Sequence, residues 1–130
     1  MTGAVRPAVV IADDEVHIVD VLALLFEFYD VEIVKAYNGE QALEAIKAYA
    51  PQLVIADIMM PKLGGAELSR RVKQDPATAN TTIILMSALP SYALPQVMAD
   101  GYLPKPFEIA RVEAYADQFF ARLDPPNGAG

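Results

Sequence analysis

Apolar and polar positions alternate in blocks along this chain. Short apolar runs at residues 8–12, 31–36, 53–56, 82–86 and 101–104 have the length and side-chain types of strands. Between and after them, residues 16–28, 39–49, 65–73 and 108–122 place apolar side chains at helical spacing and predict helices. Asn38 followed by Gln41 predicts a capped start for the second of these helices, and Pro51 stops it after Ala50. Strand and helix signals in strict succession predict a (βα)5 arrangement, a parallel sheet with helices on both faces.

One segment resists that pattern. The remaining helix belongs at residues 88–100, "ALPSYALPQVMAD", where Pro90 and Pro95 stand five apart. Proline is tolerated only in the first turn of a helix, so no regular helix runs through both, and a shortened or irregular element is expected. The ends read as tails at 1–7 and 123–130, the second closing in the linker-like "DPPNGAG", with a single domain over 8–122.

Composition narrows the chemistry. A chain of 130 residues that is 54% hydrophobic suits one compact core. The net charge of −7, with scattered Lys and Arg, leaves no basic stripe for a phosphate backbone, so direct nucleic-acid binding is not expected. With no cysteine and only His17, the chain has no disulfide framework, zinc site or Ser-His-Asp triad. The apolar stretch 8–12 is too short for a secretory signal, and the oily 16–29, with its His17, Asp20 and Glu27, is too short to span a bilayer. A soluble, cytoplasmic protein is the expectation, with no membrane association.

The strand ends carry the chemistry. Asp13 and Asp14 follow the first strand, Asp57 the third and Ser87 the fourth, while Lys105 stands at the end of the fifth. Right-handed crossovers put all carboxyl ends of a parallel sheet on one edge, so these distant residues converge. Three carboxylates meeting there repel one another unless a cation sits among them, and hard oxygen donors with room for water suit Mg²⁺.

With those residues in view, the chain resembles the receiver domains of bacterial two-component response regulators. "VIADDE" resembles the family's acidic pair, "LVIADIMMP" its phosphoacceptor stretch, "ILMSA" its hydroxyl-bearing fourth strand and "GYLPKPF" its lysine-proline signature. The resemblance covers about residues 8–122 and implies a flavodoxin-like fold with strand order 2-1-3-4-5. It implies that Asp57 takes a phosphoryl group from a histidine kinase or histidine phosphotransfer protein. Asp13, Asp14, Asp57 and the backbone carbonyl of Met59 would hold Mg²⁺, with Lys105 as the fixed cation and Ser87 and Tyr102 as the switch pair. A cis Lys105–Pro106 bond is implied as well.

The first helix carries two apolar stripes. Ile18, Leu22, Leu25 and Tyr29 form one; Val19, Ala23 and Phe26 form the other. One stripe suffices for the core. The second is either a wide core face or, as in relatives that meet their phosphodonors with this helix, a docking surface. The irregular 88–100 segment argues against dimerisation through its face, so a monomer or weak dimer is expected. Two other functions fit the same fold: a pseudo-receiver that only binds partners, and a haloacid-dehalogenase-like phosphatase. The first would be marked by loss of an acidic or lysine position, and none is lost. The second wants an aspartate two positions beyond the nucleophile, where Met59 stands.

Overall fold

The computed structural model describes residues 6–89 and 99–123. Within them the chain runs β1 (Ala8–Ala12), α1 (Val16–Phe26), β2 (Glu32–Ala36), α2 (Gly39–Tyr49), β3 (Leu53–Asp57), α3 (Gly65–Gln74), β4 (Thr82–Ser87), β5 (Gly101–Pro104) and α4 (Ile109–Phe119). The strands form one sheet in the order β2-β1-β3-β4-β5, every neighbouring pair parallel. This is the flavodoxin-like order. The prolines at 90 and 95, and the irregular helix expected around them, lie outside the described residues.

Alternation along the strands divides the interior in two, because successive side chains point to opposite faces. Val9, Ile11, Leu53, Ile55, Ile84, Met86 and Leu103 face α1 and α4. Val10, Ala12, Val54, Ala56, Ile83 and Leu85 face α2 and α3. Burial on both faces explains why β1 and the Leu53–Ala56 part of β3 are apolar throughout instead of alternating. β2, an edge strand, carries Glu32 and Lys35 exposed. Among the described residues no helix is long and apolar enough to cross a membrane.

The capping expectation holds for α2. The Asn38 side chain accepts from the Gln41 amide at 2.8 Å, and Gln41 Oε1 accepts in return from the Tyr37 amide at 2.9 Å. Ala50 closes the helix in the left-handed conformation, with Pro51 behind it. Other boundaries move by a few residues. β3 and β4 each extend one residue further, so that Asp57 and Ser87 are themselves strand residues. α1 ends at Phe26 and α4 at Phe119, both short of the expected ends.

The reason for those early stops is a clamp between the two helix ends. The chain after α4 turns back so that Arg122 bridges antiparallel to Tyr29, Leu123 donates to the Phe28 carbonyl at 2.9 Å and Asp30 donates to that of Ala121 at 2.8 Å. Phe120 meets Phe26 edge-on, ring centroids 6.1 Å apart. Arg122 grips both oxygens of Asp117 at 2.8 and 3.1 Å, its guanidinium 5.2 Å from the Tyr29 ring centroid, and the Tyr29 hydroxyl donates to Asp117 at 2.8 Å. Pro7 and Leu123, assigned to the tails above, thus have backbone partners, Pro7 accepting from Glu32.

This packing corrects the docking surface expected on α1. Val19, Ala23 and Phe26 are core residues, Phe26 and Val19 without any exposure. They sit with Leu22 and Tyr29 against the sheet, whereas Ile18 and Leu25 are only half-buried. The helix lies in a trough between the sheet and α4, so its covered arc is wider than one stripe. The large apolar side chains left exposed on α1 are Val16, Val21 and Leu24, with Phe28 just beyond its end.

Two expectations follow. Phe26→Asp places a charge in a closed aromatic cluster and should cost about 3 kcal/mol or more, enough to compromise a domain of ordinary stability. Phe28→Asp should leave the urea midpoint nearly unchanged, and paired denaturation curves separate the two cases. Burial, and then the hydrogen bond and charge of Asp117, push the Tyr29 hydroxyl from 10.0 up to about 12. The folded state therefore favours the neutral phenol, and that stabilisation is complete below pH about 10 and is lost as pH rises toward about 12. Wild type should lose stability relative to Tyr29→Phe across that window, as measured by urea melts at stepped pH.

Candidate functional site

Strand register assembles the candidate site. Ala12 pairs with Ala56, so Asp13 and Asp57 follow as neighbours at the same edge, and Asp57 pairs with Met86 on its other side. Ser87 pairs with Pro104, and the Lys105 amide continues the ladder by donating to the Ser87 carbonyl at 2.8 Å. Four chain segments deliver their terminal residues to one place. The Lys105–Pro106 peptide is cis.

The three carboxylates meet. Asp13, Asp14 and Asp57 each offer an oxygen, all within 4.8 Å of one another. Asp13 has no exposure and Asp57 is buried, while Asp14 is open to solvent. Such an all-oxygen set with one open side fits a hard divalent cation that keeps several waters. Lys105 Nζ lies 2.7 Å from Asp13 Oδ2 and 3.3 Å from Asp57 Oδ2. Burial pushes the Asp57 carboxyl up from its ordinary value, with the Lys105 charge opposing and the Asp13 charge adding to the shift. Burial alone would lower Lys105, but its hydrogen bond to Asp13 and the charge of Asp57 outweigh that and leave it raised. It is a firmly charged ammonium.

The other expected residues sit as follows. Met59 reaches the Asp57 carboxylate through its backbone amide, and its side chain is exposed. Ser87 is buried, and its Oγ accepts from the Leu89 amide at 3.0 Å. Tyr102 pairs with Leu85 and is half-buried against the α2–α3 side of the core. Ser87 lies two residues beyond Leu85, so Ser87 and Tyr102 share one face of the sheet. His17 is exposed beside Glu15. Val19, Ala23 and Phe26, as described, belong to the interior.

Three contributors escaped the sequence reading. Glu15 is one, its Oε1 3.9 Å from Lys105 Nζ and its amide donating to Asp13 Oδ1 at 2.9 Å. Its position right after an acidic pair was the available signal. The others are glycines that allow close approach. A Cβ on Gly65 would stand 2.5 Å from the Asp57 carbonyl oxygen, and one on Gly39 would overlap the Leu63 carbonyl. Gly65 therefore lets α3 begin directly under the strand end that carries Asp57, and Gly39 lets α2 abut the loop that follows it.

Comparison with known proteins agrees with this geometry. Residues 9–117 match the family described as the response regulator receiver domain. The phosphate regulon transcriptional regulatory protein PhoB of Pseudomonas aeruginosa is 34% identical over 118 residues, 85% of this chain and 52% of that protein. Response regulator GtcR of Aneurinibacillus migulanus is 32% identical over 130 residues, 93% of this chain and 52% of that protein. The chain thus spans about half the length of these relatives. Among solved structures, a putative response regulator from Chloroflexus aurantiacus superposes with a TM-score of 0.78 at 27% identity, covering 88% of this chain and 97% of that one. The chemotaxis response regulator CheY4 of Vibrio cholerae shares the fold with a TM-score of 0.79 at 23% identity, covering 88% and 98%. The chain belongs to the response-regulator receiver domain family.

Proposed function

We propose that this receiver domain accepts a phosphoryl group on Asp57 from the phosphohistidine of a histidine kinase or phosphotransfer protein. The observation that carries this reading is a buried aspartate flanked by two further carboxylates on one side and the Lys105 ammonium, 3.3 Å away, on the other. Accepting phosphate on the receiver is the general work of the family. An Asp57 oxygen forms the new bond to phosphorus as the phosphorus–nitrogen bond breaks, and the departing imidazole keeps the electron pair and takes up a proton.

Such a transfer asks the protein for positioning and for charge on the equatorial oxygens. Lys105 supplies one positive charge from a backbone held to Ser87. Asp13, Asp14, Asp57 and the Met59 carbonyl would hold Mg²⁺, which when bound neutralises phosphoryl oxygens on the opposite side. The domain acts on itself only, in gaining and in losing its phosphoryl group.

The conformational readout runs through Ser87 and Tyr102. The Ser87 oxygen accepts from Leu89 and so retains its own proton to donate. A phosphoryl oxygen on Asp57 draws that hydroxyl inward, and the ring of Tyr102, on the same face, turns toward the vacated space. One charge event biases a two-state element. The acidic surface offers nothing to a nucleic-acid backbone, so any output reaches other proteins or a further domain.

Acetyl phosphate with Mg²⁺ should add one phosphoryl group to the protein, seen by intact mass, and Asp57→Asn should abolish the adduct. An unmodified wild type that still binds Mg²⁺ would favour the pseudo-receiver instead. Ser87→Ala should still bind beryllofluoride, a phosphoryl mimic, but should lose the accompanying change in the Tyr102 ring resonances. A full Tyr102 response in that variant would remove Ser87 from the switch.

A further inference from the structure

β5 enters the sheet with little apolar packing to fix its register. It is four residues long and lies at an edge, and of Gly101, Tyr102, Leu103 and Pro104 only Leu103 is fully buried. A strand pinned by one apolar side chain is prone to slip. Moving by one residue would turn Tyr102 to the other face of the sheet and carry Lys105 along the strand by about 3.3 Å. At its far end the strand is held by the Lys105 amide on the Ser87 carbonyl. At its entry a side chain does the holding. The Asp100 amide donates to the Ile83 carbonyl at 2.9 Å, and Asp100 Oδ2 accepts from the Ile83 amide at 2.8 Å, so one residue takes both backbone groups of Ile83. A carboxylate oxygen stands here in the role that a strand carbonyl has in a regular parallel ladder.

The same oxygen accepts from Lys73 Nζ at 2.6 Å, and that ammonium also donates to the carbonyl of Thr81, just before β4, at 2.6 Å. The Lys73 side chain is largely covered, with 15% of it exposed. Lys73 stands in the last turn of α3, the helix whose first residue, Gly65, lies against the Asp57 backbone. α3 therefore reaches from the strand end that carries Asp57 to the strand start that leads to Tyr102 and Lys105. With Lys105 Nζ 3.3 Å from Asp57 Oδ2, the path closes on itself. We propose that Asp100, held by Lys73, fixes the register of β5 and is thereby a positioning residue for Tyr102 and Lys105. The ammonium keeps the carboxylate oxygen in the one place from which it can take the Ile83 amide, and the carboxylate balances a largely covered charge. Register is a property of the unphosphorylated protein; its effect on phosphoryl transfer rests on the function proposed above.

The test compares the full chain as wild type, Asp100→Ala, Asp100→Asn, Lys73→Met and Lys73→Arg, with Lys35→Met as a control that removes the exposed Lys35–Asp20 pair on the opposite edge strand. Amide hydrogen exchange and the NOE contacts between Leu85 and Tyr102 report the register without any phosphoryl group. In wild type the Ile83 amide should exchange as slowly as its neighbours in β4, and fast exchange there removes the anchor whatever the variants do. Asp100→Ala should speed exchange of Ile83, Tyr102 and Leu103 by about tenfold or more while β1 and β3 keep their rates. Asp100→Asn, which retains an acceptor for Ile83, should fall between, and Lys73→Arg, which retains the charge and donors, should match wild type; these two decide the matter if Asp100→Ala does not fold. Exchange that rises equally in every strand, with the Leu85–Tyr102 contacts intact, would mean that the pair only adds stability, and overturns the proposal. With acetyl phosphate and Mg²⁺, Asp100→Ala and Lys73→Met should form the phosphoryl adduct about ten- to a hundredfold more slowly, the scale on which misplaced groups cost rate, and Lys35→Met should not. Loosened β5 amides with an unchanged rate would overturn the positioning of Lys105. If wild type itself takes no phosphoryl group, the function proposed above fails, while exchange and NOE contacts still decide the register.

Discussion

Two buried carboxylates at one sheet edge need a cation, and much of this molecule is arranged to supply one in a fixed place. Asp13 and Asp57 extend neighbouring strands whose register is set by apolar residues covered on both faces. A slip of one residue would exchange the side chains that β1 or β3 presents to its two helix layers, so packing on both faces holds the acidic residues together against their own repulsion. Lys105 arrives from β5 through β4, tied to the Ser87 carbonyl. The electrostatics are local, but the framework that bears them is the whole sheet.

The surroundings of the site serve that same constraint. Gly65 and Gly39 allow α3 and the loop after β3 to approach more closely than any side chain would permit. The Met59 amide hydrogen-bonds to the Asp57 carboxylate, partly opposing the effect of burial. Asp14 is left facing water, so the carboxylate cluster is open on one side. The segments that carry the site also bear exposed apolar side chains: Val16 after Asp14, Met59 after Asp57, Leu89 after Ser87 and Ile109 after Lys105.

At the opposite ends of α1 and α4, the Tyr29–Asp117–Arg122 clamp and the Phe26–Phe120 contact fold the segment just after α4 back on α1. The two helices are thereby wedged against the same sheet face, and the α1 stripe that looked free in one dimension became interior. Helical spacing tells which side chains share a face. It does not tell how many neighbours that face will meet.

Much was legible before any coordinates. The five strands, the helices on either side of them, and the gathering of Asp13, Asp14, Asp57 and Lys105 at one edge were all readable, because strand burial, right-handed crossovers and turn chemistry are written locally in residue type and order. What only the tertiary structure decided was long-range and geometric. Val19, Ala23 and Phe26 proved to be core because α4 and Phe120 just after it pack with them against the sheet. Glu15 joined the site because a tight turn after Asp13 aims its side chain at a lysine 90 positions away in sequence. The Ser87 hydroxyl found the Leu89 amide, and Gly39 and Gly65 mattered through backbones brought against them by folding. Sequence pattern determines which residues share a face or an edge; distance between faces is settled only when all of them pack at once.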